Sequence, residues 1–144
     1  MIQLNMLKEN KIISVLTIEN SSLAVDLAKC LFDSGIRNLE ITLRTKEAKK
    51  ATELIINTNL DFNIGIGTVL TFDDLYFAKD IFADFALSPC TDIELIKESF
   101  KIDFKLIPGV STSSDINTAI KLGCKVLKLF PTIQLGGLNY FKSI

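Results

Sequence analysis

IRNLEITLRT, residues 36 to 45, is a β-branched and apolar run that ends in charged and hydroxyl side chains. At the side-chain period of a strand, Glu40, Thr42 and Arg44 share one face, and Ile41 and Leu43 share the other. The apolar pair predicts helices packed against the outer face, which turns the carboxylate, hydroxyl and guanidinium toward an interior. Buried charge is costly unless it is paired or used. An internal Glu40–Arg44 ion pair and a partly solvated strand end satisfy the pattern as well as a functional site does.

The same construction recurs along the chain. Comparable runs begin at Lys11 (KIISVLTI), Phe62 (FNIGIGTV), Asp84 (DFALSP), Phe104 (FKLIPGV) and Cys124 (CKVLKLF), and successive starts lie 20 to 26 residues apart, the length of one βα unit. Amphipathic stretches separate them. In the first, Ser21 to Ser34, a helix is predicted with Leu23, Leu27, Cys30 and Leu31 on its apolar face and Ala24 and Ala28 close by, Ser21 or Ser22 as cap and Gly35 just past the end. Thr71 ahead of Asp73 and Asp74, and Ser113 or Ser114 ahead of Asp115, predict further helix starts, and Gly123 a further stop. Phe72, Phe77, Phe82 and Phe85 read as core.

Alternating βα units imply parallel strands joined by right-handed crossovers. A doubly wound sheet and a (β/α)8 barrel of the TIM type both fit. About six units are present, two short of the eight that close a barrel, with no linker or composition shift, so residues 1–144 read as one incomplete α/β domain.

Composition narrows the chemistry. The chain has 144 residues, 48% hydrophobic and 23% charged, a length at which a sizeable core needs no disulfide or metal. A net charge of -1 without a basic run argues against nucleic acid as a partner. No apolar stretch has the length of a membrane span, and the N-terminal MIQLNMLKENK has no secretory apolar core, so a cytoplasmic protein is expected. Histidine is absent, which removes imidazole-based triads and HExxH zinc sites. The three cysteines, Cys30, Cys90 and Cys124, are widely spaced and read as small buried residues of a reducing compartment.

Polar and glycine-containing tips end most of the predicted strands: Gly65 to Thr68, Ser88-Pro89, Pro108 to Thr112 and Lys128 to Pro131. In parallel folds this rim is where sites are built. The glycines of GIGT suit close approach of a ligand or backbone rather than a dinucleotide fingerprint, and Gly136-Gly137 suit a turn. Lys128 is the sharpest signal. It shares a strand face with Val126 and Phe130, so its amine points inward unless that strand is an edge. A lysine amine with an ordinary pKa of about 10.4 is neutral in only about one molecule in 2,500 at pH 7. A nucleophilic one must therefore be held neutral by its surroundings.

Taken together and in order, LEITLRT, IGIGTVL, FALSP, LIPGVST and KLFP resemble the 2-keto-3-deoxy-6-phosphogluconate / 4-hydroxy-2-oxoglutarate aldolases from about Lys11 to Gly137. The resemblance implies a class I aldolase on a (β/α)8 barrel that cleaves a 2-keto acid to pyruvate and an aldehyde. It implies Lys128 as the imine-forming residue and Glu40 as the proton carrier. Arg44, Thr68, Pro89 and Phe130 then become the substrate-binding positions. It further implies a homotrimer with no metal or organic cofactor. Cys90 departs from the glycine usual in that family. The family's phosphate-binding glycines and serine come from strands seven and eight, beyond Ile144, so a short keto acid is expected to lose less than a phosphorylated one. The alternative expectation is a weakly active or inactive remnant that serves only by self-association or binding.

Overall fold

The computed structural model describes residues 10–144. Most of the N-terminal stretch read above for a secretory signal, residues 1–9, lies outside the described residues. Strands β1 (Ile13–Leu16), β2 (Asn38–Thr42), β3 (Asn63–Gly67), β4 (Phe85–Leu87) and β5 (Leu106–Ile107) form one sheet in chain order, and β6 (Gly109–Val110) pairs with β7 (Lys128–Leu129). Every pairing is parallel. Helices α1 (Ala24–Asp33), α2 (Ala48–Ile56), α3 (Phe72–Asp80), α4 (Ile93–Lys101), α5 (Ser113–Lys121) and α6 (Gly137–Phe141) follow the strands in turn.

The strand order decides between the two architectures left open by the sequence. A doubly wound sheet reverses direction at a switch point. Here chain neighbours are spatial neighbours from β1 through β5, the winding of a βα barrel. The fifth predicted strand is split, because Pro108 has no N–H to continue the ladder; its carbonyl instead accepts from the Lys128 N–H at 3.0 Å.

Two apolar layers follow from strand alternation. Outside, Leu39, Ile41 and Ile66 are fully buried against helix residues such as Ala24, Ala28, Ala51 and Ile55. Each large side chain so buried contributes roughly 1.5–3 kcal/mol. Inside, Phe85, Leu87 and Ile107 gather with Val126 in a separate cluster. This inner cluster forms an apolar floor beneath the C-terminal rim.

Helix starts are set by side-chain caps. Thr71 and Asp74 form a reciprocal capping box on α3, as do Thr112 and Asp115 on α5. Ser113 and Ser114 therefore lie inside α5 rather than capping it. Likewise Asn20, not Ser21 or Ser22, caps the 3-10 turn Ser21–Leu23 that leads into α1. Gly35 and Gly123 take left-handed conformations at φ 87° and 99°, as helix stops require.

The sequence reading also needs correction on side-chain placement. Ala24 and Ala28 face the sheet from α1 and Leu31 packs partly buried against the same core, whereas Leu23, Leu27 and Cys30 are exposed. Small residues let the helix approach the strands closely, and Leu23 and Leu27 turn away from them. Phe85 lies in the inner cluster as expected of core, whereas Phe72 is largely exposed and Phe82 is 92% exposed in a left-handed turn. Of the three cysteines only Cys124 is buried.

Candidate active site

The inner faces of β2 and β7 meet at one contact. Lys128 Nζ donates to Glu40 Oε1 at 2.7 Å and to Oε2 at 3.1 Å. The Glu40 side chain is 3% exposed and that of Lys128 22%, so the lysine keeps some access to solvent while the glutamate keeps almost none. The two open readings of the sequence are thereby resolved: Glu40 pairs with Lys128 rather than with Arg44, and Lys128 points inward rather than guarding an edge. The Lys128 amine also stands 5.2 Å from the centre of the Phe130 ring.

Beyond this pair, the rim carries the other singled-out residues. Arg44 Nε donates to Thr68 Oγ1 at 3.2 Å, which joins the tips of β2 and β3. Arg44 itself is exposed at this rim. Thr68 adopts φ 63°, a conformation costly for a β-branched residue and typical of functional sites. Pro89, half-buried after the buried Ser88, abuts Gly109 across the loop. The Ser88 hydroxyl accepts from the Cys90 N–H at 3.3 Å, and Thr91 Oγ1 donates to the Gly109 carbonyl at 2.7 Å. That segment is therefore tied down on both sides, with the Cys90 thiol exposed.

Sequence reasoning missed the bracing of this rim. The hydroxyls of Thr17 and Thr42 lie 3.0 Å apart, Thr42 Oγ1 donates to the Leu16 carbonyl at 2.9 Å, and Thr45 Oγ1 donates to the Ile18 carbonyl at 2.6 Å. The Ser21 hydroxyl donates to Glu47, and this bond is the main cause that holds the Glu47 carboxyl below its ordinary value. Hydroxyl residues just past two neighbouring strands were the available signal. At the opposite end of the strands, Asn63 Nδ2 donates to Asn38 Oδ1 at 2.8 Å, while Asn38 Nδ2 donates to the Asn10 carbonyl at 2.6 Å. Asn38 precedes Glu40 and Thr42 on the same face, so the period of two was the signal that could have found it.

An amine and a carboxylate in contact above an apolar floor, at the C-terminal ends of parallel strands, define a βα-barrel protein with a lysine–carboxylate centre. The particular lineage follows from comparison. Residues 3–144 match the family of KDPG and KHG aldolases, and the chain belongs to that family. It is 33% identical over 138 residues to the 2-dehydro-3-deoxy-phosphogluconate aldolase of Haemophilus influenzae, covering 96% of this chain and 65% of that one. It is 33% identical over 140 residues to the KHG/KDPG aldolase of Escherichia coli K12, covering 97% and 66%. Among solved structures, the KDPG aldolase of Legionella pneumophila, in which pyruvate was captured as a covalent carbinolamine intermediate, superposes with a TM-score of 0.86 at 40% identity, covering 91% of this chain and 64% of that one. The chain thus spans just under two thirds of the length of these relatives. Among the described residues, no helix is long and apolar enough to cross a membrane.

Proposed function

We propose that this chain acts as a class I aldolase that cleaves a 2-keto-4-hydroxy acid, 2-dehydro-3-deoxy-6-phosphogluconate or 4-hydroxy-2-oxoglutarate, to pyruvate and an aldehyde. The observation that carries this reading is the contact between Lys128 and Glu40. Glu40 accepts a proton from the Lys128 ammonium, and the freed amine attacks C2 of the keto acid. The carbinolamine loses water, with Glu40 returning the proton to the departing hydroxyl, and a protonated imine remains. That cation draws electrons from the adjoining bonds. Glu40 then takes the C4 hydroxyl proton as the C3–C4 bond breaks, and the bonding pair moves into an enamine while the aldehyde leaves. Protonation at C3 and hydrolysis of the imine release pyruvate and restore the amine.

Arg44 and Thr68 hold the substrate carboxylate in this reading, because a planar guanidinium matches it in two places and fixes the carbonyl over the amine. Pro89 and Phe130 supply apolar walls on either side. The free thiols of Cys30, Cys90 and Cys124 fit a reducing, cytoplasmic compartment. The Legionella carbinolamine supports the covalent step by likeness. Incubation with pyruvate and borohydride tests the reading. A reduced pyruvate adduct on Lys128, found by peptide mass mapping, is the expected result, and an adduct on another lysine or none overturns it.

A second reading, association without catalysis, is favoured by one observation. Among the described residues β1 is paired on one side only, its own Val15 is 56% exposed, and Leu23 at the start of the following helix is 61% exposed. A soluble assembly that forms no adduct establishes that reading. The homotrimer implied by family likeness is compatible with either and is tested by light scattering on the eluted protein.

A further inference from the structure

We infer that Gly67 is a positioning residue for Glu40: the side-chain space missing at the end of β3 is the space in which the carboxylate stands to reach Lys128. The inference rests on the aldolase reading for its kinetic consequence and on packing for its cause. A Cβ placed on Gly67 would stand 2.6 Å from Glu40 Cγ and 2.8 Å from Cδ, and would overlap Oε1 more closely still. Ordinary contact between such atoms is about 3.5–4.0 Å. Gly67 is not among the glycines in the left-handed region, so its backbone does not demand glycine; the demand comes from the neighbouring side chain.

The strand register shows why Glu40 uses this space. Glu40 lies directly opposite Gly65, and Thr42 opposite Gly67. The volume over Gly65 is already taken by the Phe85 ring, whose Cζ would lie 2.5 Å from a Cβ there. Phe85 enters from β4 and is fully buried. Glu40 therefore cannot settle straight across the sheet and leans toward the strand ends, over Gly67, where Lys128 meets it. The two interior glycines of β3 thus house one side chain from each neighbouring strand, an apolar one below and a charged one above.

A methyl group at position 67 displaces the carboxylate by about 1 Å, a shift of the size that costs about 10²-fold when a reacting group is misplaced. The test is a double-mutant cycle of Gly67→Ala with Glu40→Ala, read on both turnover and melting temperature. In the parent background, Gly67→Ala is expected to lower kcat for 4-hydroxy-2-oxoglutarate about 10²-fold with KM changed by about threefold at most. In the Glu40→Ala background it is expected to cost nothing further in kcat or in Tm, because the space is vacated. Should Gly67→Ala alone fail to fold, recovery of folding by Glu40→Ala supports the inference, and failure in both backgrounds overturns it. Additive losses overturn it as well. If the parent itself neither cleaves nor traps pyruvate, the aldolase reading fails and the cycle is read instead on the labelling rate of Lys128 by a neutral acylating reagent. There Gly67→Ala and Glu40→Ala must change the rate alike, and an unchanged rate in Gly67→Ala sinks the positioning role.

Discussion

Lys128 and Glu40 are separated by 88 residues and joined by a 2.7 Å hydrogen bond across the inside of the fold. Between their strands lie β3, β4 and the divided fifth strand, so four strand spacings separate β2 from β7 along the sheet. In a flat sheet that is about 19 Å, beyond the combined reach of a lysine and a glutamate. The contact exists because parallel strands wound in chain order curl with their twist and bring distant inner faces together. The chemical centre is thus a product of curvature, and it reports whether the barrel wall has formed.

The pair should behave energetically as a buried one. Lys128→Met leaves the Glu40 carboxylate enclosed without a partner, which costs about 3 kcal/mol, whereas Lys128→Met combined with Glu40→Leu removes both charges and should return to within about 1 kcal/mol of the parent. Urea denaturation of the two variants checks this. Equal losses in both would mean that solvent reaches the carboxylate.

Loss of the carboxylate should separate covalent capture from cleavage. Glu40→Gln keeps the side chain's shape, so the pyruvate adduct at Lys128 should still form, more slowly, while kcat for cleavage falls by about 10²–10⁴-fold, the range of a lost general acid–base. Unchanged turnover would remove Glu40 from the proton transfers.

Residue placement was legible from sequence wherever period two or a chain-order motif controlled it. Glu40, Arg44 and Lys128 could be assigned to inner faces and a common rim because alternation leaves a strand residue only two directions. Alternation alone leaves the partner of Glu40 open between Arg44 and Lys128; the family resemblance sets Lys128 and Glu40 in one site, and the curl of the sheet makes the contact. Helix α1 departs from expectation at Leu23 and Leu27 for a different reason. Hydrophobicity alone favours Leu23 and Leu27 as the buried row, but the distance between helix and sheet is set by Ala24 and Ala28, which permit a closer approach than leucine. Pro108 was read as part of a strand because its missing donor matters only once the pairing partner on each side is known.

Arg44→Lys should act on binding rather than on covalent chemistry. The lysine keeps one charge but loses the fork and the Nε bond to Thr68, 3.2 Å long in the parent. Losing a charge-assisted hydrogen bond corresponds to about 1.5–3 kcal/mol, or about 10–10²-fold. The KM for a keto acid should rise by that factor, with the borohydride adduct still mapped to Lys128. A fall in kcat at constant KM would instead place Arg44 in the chemical step.

The α5 capping box should give stability a defined acid limb. The Ser111 N–H, with further bonds from Ser111 and Thr112, holds the Asp115 carboxyl below its ordinary value against the opposing effect of burial. A depressed folded value means that the contribution is fully present above the unfolded Asp pKa of about 3.9 and is lost as pH falls through the lower folded one. Asp115→Asn keeps an acceptor but removes the negative charge from the first turn of α5, so it should cost about 0.3–1 kcal/mol at neutral pH, and the gap between the two proteins should begin to narrow below pH of about 4 and vanish below the folded value. Parallel pH–Tm curves for the two proteins down to strong acid would contradict it.

Phe82 offers the reverse case, a residue whose replacement should stabilise. It lies two residues past the end of α3 at φ 58° and is 92% exposed, so it bears the steric cost of the left-handed region with almost no burial in return. That conformation costs most residues about 1–2 kcal/mol, and asparagine less, because its short polar side chain bonds locally. Asparagine also avoids the extra unfolded-state freedom that glycine would add. Phe82→Asn should raise stability by about 0.5–1 kcal/mol, a gain of about 2–4 °C in Tm at this chain length. The measurement also addresses the ring directly: a fall in Tm that shrinks on dilution would show that Phe82 is covered in an assembly of this chain, since only a contact between copies depends on concentration.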